Sequence, residues 1–141
     1  MFRVGELNFA VISSSVREVT RMGPMTPLPR APAFVLGVVP HRGEVIPVVD
    51  MLRFLGQGEF KPSPRARLFI GLSGSWVVGF LADVVVGLRR IFIADKLPLP
   101  ASQGLNAEFL AGVVQSREFG TLSLLDLARV MTAARQKVVA R

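Results

Sequence analysis

A chain of 141 residues suits one compact unit, or two very small ones sharing a core. Half of its residues are hydrophobic, enough for a sizeable core, and the absence of cysteine excludes disulfides and thiolate metal sites. Lys and Arg outnumber Asp and Glu by 17 to 10, a formal charge of +7 that favours acidic partners and raises nucleic acid as one class of them.

In chain order, Met1–Glu6 lacks the long apolar core of a signal peptide. Leu7-Asn8-Phe9-Ala10-Val11 alternates in polarity and predicts a strand. Ser15-Val16-Arg17-Glu18 has capping-box spacing, which predicts a single helical turn carrying Val16 and Val19 at i, i+3. The proline-dense stretch from Gly23 to Pro32 excludes helix and predicts a rigid, extended crossing loop. Strands Val35–Val39 and Val45–Val49 flank a turn at Pro40-His41-Arg42-Gly43. Asp50 is placed to cap a turn over Met51–Leu55 that stops at Gly56, and Gly56 to Arg67 reads as a linker.

Leu68–Gly71 and Trp76–Phe80 flank a second hairpin turn at Leu72–Ser75. The most apolar stretch, Trp76 to Leu88, is broken by Gly79 and Asp83 and falls short of the ~20 residues a membrane span needs. A soluble, intracellular protein is expected. A third hairpin joins Leu110–Val114 to Thr121–Leu125 through Gln115–Glu118. Asp126 then caps a longer helix, with Leu127, Val130, Met131, Ala134 and Val138 at helical spacing and Arg129, Arg135 and Lys137 on its other faces.

The chain repeats itself. Phe34, Gly37, Val38, Val39 and Arg42 recur in order as Phe109, Gly112, Val113, Val114 and Arg117. One extra residue then brings Val48-Val49-Asp50 onto Leu124-Leu125-Asp126. Upstream, Thr26-Pro27-Leu28-Pro29 parallels Leu97-Pro98-Leu99-Pro100, and Val16, Val19 and Arg21 parallel Val85, Leu88 and Arg90. A fixed-order recurrence at about half the chain length implies duplication of one unit. Short strands separated by turn signals predict an all-β fold of two small barrels, residues 7–66 and 67–138, packed through an apolar interface, with short helices and a C-terminal helix.

Catalytic chemistry finds few candidates. His41 is the sole histidine and tyrosine is absent. Ser13-Ser14-Ser15 has no activating base nearby, and no glycine-rich phosphate loop precedes a helix. Asp50, Asp83 and Asp126 recur at strand ends, which duplication and helix capping explain. Neither a metal nor a cofactor is expected. For nucleic acid the basic residues are scattered: Arg89-Arg90 is the only adjacent pair, and Arg65-Ala66-Arg67 is a further tight group. Nucleic-acid binding is kept as the rival reading, to be tested by salt dependence.

The stretch Gly37-Val38-Val39-Pro40-His41-Arg42-Gly43-Glu44-Val45-Ile46-Pro47-Val48-Val49-Asp50 resembles the signature of the CheW family, a Gly-Val-(Ile/Thr)-Asn-Leu-Arg-Gly hairpin running into a Pro-(Val/Ile)-Val-Asp strand. Val16-Arg17-Glu18-Val19, Pro27 to Phe34, and Val78-Gly79-Phe80-Leu81-Ala82-Asp83-Val84-Val85 resemble further segments of that family in order. The resemblance implies two five-stranded SH3-like barrels. It implies a cytoplasmic, cofactor-free adaptor that bridges chemoreceptor tips and the regulatory domain of a CheA-type histidine kinase, with other CheW-like proteins as further partners.

By the same resemblance Val16, Glu18, Gly37, Leu68, Phe69 and Leu88 align with receptor-contacting positions, and Arg42 pairs with Glu18. Val16 and Val19 are each either core or docking patch. The kinase contact is expected on Glu44, Val45, Ile46 and Val48. The chain departs from the family where Pro40-His41 replaces Asn-Leu. That change puts partner choice in question and leaves open a specialised motility array in which only one of the two partners is engaged.

Overall fold

Tight turns fix where the strands begin and end. In the computed structural model, which describes residues 1–5, 7–61, 63–87, 96–97, 107–116 and 120–139, the signature hairpin closes on Arg42 and Gly43 alone, at φ of 50° and 79°. Two successive residues at positive φ give a loop whose twist matches that of the flanking strands. The strands are therefore longer than the four-residue turn expected from sequence allowed: β4 runs Val35–His41 and β5 Glu44–Val49. Likewise the turn between β6 (Arg67–Ser73) and β7 (Trp76–Ala82) shrinks to Gly74 and Ser75, with Gly74 at φ 61°.

The chain opens with β1 (Phe2–Val4) and β2 (Leu7–Ala10). A 3₁₀ turn over Ser13–Ser15 follows, then β3 (Val16–Arg21). The helical turn expected at Ser15–Glu18 does not form. No side chain caps the 3₁₀ turn, and the β-branched Val16, Val19 and Thr20 enter a ladder against β6 instead. The remaining strands are β8 (Val84–Val85), β9 (Lys96–Leu97), β10 (Leu110–Ser116) and β11 (Gly120–Leu125). The helices are α1 (Met51–Phe54) and α2 (Leu127–Val139). None of the helices described is long and apolar enough to cross a membrane.

The strands form two sheets, ordered β8-β1-β2-β11-β10-β9 and β3-β6-β7-β5-β4. The all-β architecture of two small sheets with a C-terminal helix is the one the sequence implied. The sheets correspond strand for strand. Each contains a hairpin, β1–β2 or β6–β7, whose second strand lies parallel to the strand before a capping aspartate: Phe9 beside Ser123 in one, Gly79 beside Val48 in the other. A bulge falls at Val35/Gly37 and again at Leu110/Gly112. Thr26 bridges Val38 as Leu97 pairs with Val113, so the sixth strand, β9, is the counterpart of a one-residue bridge in the five-stranded sheet.

The strands do not sort into residues 7–66 and 67–138. One sheet takes its strands from residues 16–82, the other from residues 2–10 and 84–125. Each repeat has given its first hairpin to the sheet of the other. The stretch from Gly56 to Arg67 consequently joins two strands of one sheet, with Phe60 and Ala66 buried along it. Its anchor is Asp50, which is fully buried. Oδ1 accepts the Leu52 and Arg53 amides at 3.0 and 3.3 Å and so caps α1, while Oδ2 accepts the Phe60 amide at 2.8 Å. Gly56, at φ 69°, ends α1 as expected: its amide bonds Arg53 O and that of Gln57 bonds Leu52 O.

Aromatic rings link the sheets. Phe2 lies 5.6 Å from Phe9 and 4.6 Å from Phe69, which stacks on Phe80 at 5.2 Å. Phe54 bridges Phe34 and Phe109 at 5.2 and 5.0 Å. Along α2, Leu127, Val130, Met131 and Ala134 are buried as their spacing predicted, whereas Val138 is 46% exposed.

Asp50→Ala removes the acceptor of three amides in a site without water access. It should cost about 3–5 kcal/mol of unfolding free energy, read from the urea midpoint at constant m-value; a loss under ~1 kcal/mol would contradict the role given to this carboxylate.

Candidate functional site

β3 and β4 are the two edges of the five-stranded sheet, and no backbone ladder joins them. Side chains do so instead. Glu18, on the half-buried side of β3, meets the tip of the β4–β5 hairpin. Its Oε2 lies 2.9 Å from His41 Nε2, and its Oε1 accepts from Arg42 Nη2 at 3.1 Å. One residue earlier, Arg17 Nη2 donates to Glu44 Oε2 at 2.7 Å. This clasp holds the sheet's open edges together.

The clasp borders a groove of about 260 Å³ at the seam between the sheets. The five-stranded sheet supplies Val16, Glu18, Val19 and Phe69 to its lining; the six-stranded sheet supplies Phe2 and Val85. Phe69 and Phe2 are buried at the floor, Val16 is half-buried, and Val19 stands 43% exposed at the edge. Ile12, just before the 3₁₀ turn, is 60% exposed. Apolar surface with a charged border suits a protein ligand better than a small charged metabolite.

Within the clasp the His41 hydrogen bond, aided by the positive fields of Arg42 and Arg17, holds the Glu18 carboxyl below its ordinary value. The Arg17 hydrogen bond does the same for Glu44. Arg42 itself is 74% exposed, so water and salt screen the pair and the heavy penalty of breaking a buried ion pair does not apply.

Of the residues expected at a receptor contact, Val16, Glu18, Val19 and Phe69 converge on this groove, and Arg42 joins them through Glu18. Gly37 and Leu68 lie elsewhere. A Cβ on Gly37 would meet Thr26 O at 2.4 Å, so glycine is required where the connector crosses β4. Leu68 is buried under Gly79, whose added Cβ would lie 2.7 Å from it. Leu88 lies outside the described residues, as do Arg89 and Arg90. Of the residues expected at a kinase contact, Val45 is 71% exposed and Glu44 is exposed beside it, while Ile46 and Val48 point into the core. Phe2, Val85 and the role of His41 escaped the sequence reading. The alternation Phe2-Arg3-Val4 was the available signal for the first.

The other candidate groups are structurally occupied. Asp83 accepts the Gly5 amide at 2.6 Å, and Asp126 accepts the Arg129 amide at 3.1 Å to cap α2. Arg67 folds back on the carbonyls of Arg65 and Ala66 at 3.1 Å each, so this basic group does not project as a unit. Among the described residues no group of three or more His, Cys, Asp or Glu could hold a metal.

Two pseudo-equivalent sheets with exchanged hairpins, a capping aspartate after each and a groove along the seam define the CheW-like fold. The solved structure of scaffolding protein TtCheW from Thermoanaerobacter tengcongensis superposes with a TM-score of 0.82 at 23% identity, over 92% of this chain and 83% of its own. The model of the CheW-like domain matches residues 1–135, and the chain belongs to that family. It is 52% identical over 141 residues to Protein FrzA of Myxococcus xanthus, covering 99% of this chain and 88% of that protein. It is 38% identical over 114 residues to the chemotaxis protein CheW of Rhizobium meliloti (strain 1021), covering 80% and 74%.

Replacing His41 by leucine, the residue at this point of the family signature, removes the largest cause of the Glu18 shift. The Glu18 carboxyl, followed by NMR, should then titrate closer to the ordinary glutamate value of 4.5. A depressed folded-state value stabilises the fold above that pH, and the stabilisation is lost as pH falls through the depressed value. The stability difference between the wild type and Glu18→Gln should accordingly shrink on acidification below 4.5. A difference constant from pH 7 to pH 3 would show that the clasp is not ionic.

Proposed function

We propose that this chain is a non-catalytic chemosensory adaptor that couples the cytoplasmic tip of a chemoreceptor to the regulatory domain of a CheA-type histidine kinase. The convergence of Val16, Glu18, Val19 and Phe69, with Arg42 at the border, in one groove carries the reading. In this reading the receptor tip is a long helical segment. An apolar floor with a charged border is what such a helix requires: anchors at i, i+3 and i+4 enter the groove, and polar residues meet Glu18 and Arg42.

The kinase contact is assigned to the tip of the β4–β5 hairpin. There Val45 projects opposite Pro40 in the ladder, and Glu44 is tied to Arg17. An exposed apolar residue on a rigid hairpin is a suitable anchor for a second protein. Other CheW-like proteins could dock by the same surfaces. The adaptor needs no cofactor and works in the cytoplasm, reaching membrane- or nucleoid-associated arrays through its partners.

A second reading, an adaptor engaging only one of the two partners, is favoured by one observation. His41 occupies a Glu18 oxygen that a leucine would leave to the partner or to Arg42.

Calorimetric titration against a receptor tip and a kinase regulatory domain separately tests both readings. Arg42→Ala and Glu18→Ala should each weaken receptor binding about tenfold or more and spare the kinase, while Val45→Glu should do the reverse. Unchanged receptor affinity in both clasp variants would refute the groove assignment. Binding of one partner alone by the wild type would select the second reading.

A further inference from the structure

A second apolar groove, of about 430 Å³, lies beside the C-terminal half of α2 and has no part in the seam. Its floor is the face of the five-stranded sheet that packs against α2, with Val49 on β5 and Val78 on β7. One wall is the connector, through Leu28 and Phe34; the other is α2, through Met131 and Val138. Leu28 and Val138 stand 43% and 46% exposed at opposite lips. No residue is shared with the lining of the seam groove.

The charge around it has one sign. Residues 127–139 contain Arg129, Arg135 and Lys137 and no carboxylate, and residues 23–33 contain Arg30 and no carboxylate. Arg129 is engaged at the far end of the helix with Asp126. Arg135 lines the groove with its guanidinium 3.5 Å from the Trp76 ring centroid, and Lys137 stands just outside the lining, its Nζ 6.0 Å from the ring centroid of the lining residue Phe34. Complementing the helix dipole accounts for a basic last turn. It does not account for an open apolar trough along the helix flank.

We infer that this trough is a docking site for an acidic amphipathic helix of a partner protein, whose apolar side chains would enter between Leu28 and Val138 while its carboxylates meet Arg135 and Lys137. A pocket of this size accepts a few side-chain anchors rather than a whole helix, as in helix-in-groove recognition. A second copy of the chain is a poor occupant, because a two-fold contact sets basic lip against basic lip. A membrane surface is a poor one too. The apolar residues line a concavity between two walls, whereas an interfacial helix must project its apolar face outward.

Trp76 is the sole tryptophan and lines the trough, so its emission reports occupancy without a label. The full chain is titrated with a synthetic tryptophan-free helical peptide bearing Leu at i, i+3, i+4 and i+7 and Glu on its other face. A saturable emission change is expected, weakened about tenfold or more by combining Val138→Glu with Arg135→Glu, both at exposed positions. The same peptide with Lys for Glu, tested on the unaltered chain, should produce no saturable change. Absence of saturation with the Glu peptide, equal binding of the Lys peptide, or full affinity in the double variant would each overturn the assignment. So would an emission change given by phosphatidylserine vesicles but not by the peptide, or a concentration-dependent dimer in sedimentation that Val138→Glu abolishes.

Discussion

The architecture rests on two parallel strand contacts, β2 with β11 and β7 with β5. Each joins a hairpin from one repeat to strands of the other, so neither sheet is complete without both halves of the chain. A half of ~70 residues has only a marginal core of its own, and the exchange lets the two halves share one. It also carries Phe2 and Phe9 against Phe69 and Phe80, which places the aromatic core, and the groove above it, on the seam. The surface best suited to binding is thus formed at the junction of the duplicated units and belongs to neither of them.

Charged groups in this molecule mostly complete what the backbone leaves open. Asp50 and Asp126 satisfy the first amides of the helices that follow their strands, and Asp83 takes the Gly5 amide at the β1–β2 turn. Glu18 with His41 and Arg42 joins sheet edges that share no ladder, and Arg17 with Glu44 ties the edge strand β3 to the start of β5. Unpaired edges are templates for unwanted pairing between chains. A side-chain clasp covers them at the hairpin tip.

Much of this was legible in the residue order. The recurrence of Phe34, Gly37 and Asp50 as Phe109, Gly112 and Asp126 announced equivalent units, and ladder register, bulge and cap all repeat accordingly. The exchange was not legible, because nothing local distinguishes a hairpin that pairs within its own repeat from one that pairs with the other. At Ser15–Glu18 a short-range cue competed with β-branched neighbours, and the long-range ladder to β6 prevailed. The two-residue turn was hidden because Arg42, unlike asparagine or glycine, does not advertise a positive φ. For the candidate site, family likeness named Val16, Glu18 and Phe69, which the fold brings into one groove, yet only the fold separates the 71% exposed Val45 from its neighbour Ile46 at 1%. Adjacent strand residues face opposite sides, and pattern alone does not say which side is outside.

The exchanged hairpin also orders events during biosynthesis. β1 and β2 leave the ribosome first, yet the strand that β2 pairs with, β11, is made almost last. The five-stranded sheet, drawn from residues 16–82, has all its strands in hand much earlier. Vectorial synthesis therefore puts every strand of one sheet into the chain before the last partner of the first hairpin exists. The duplicated units, equal in architecture, are unequal in time.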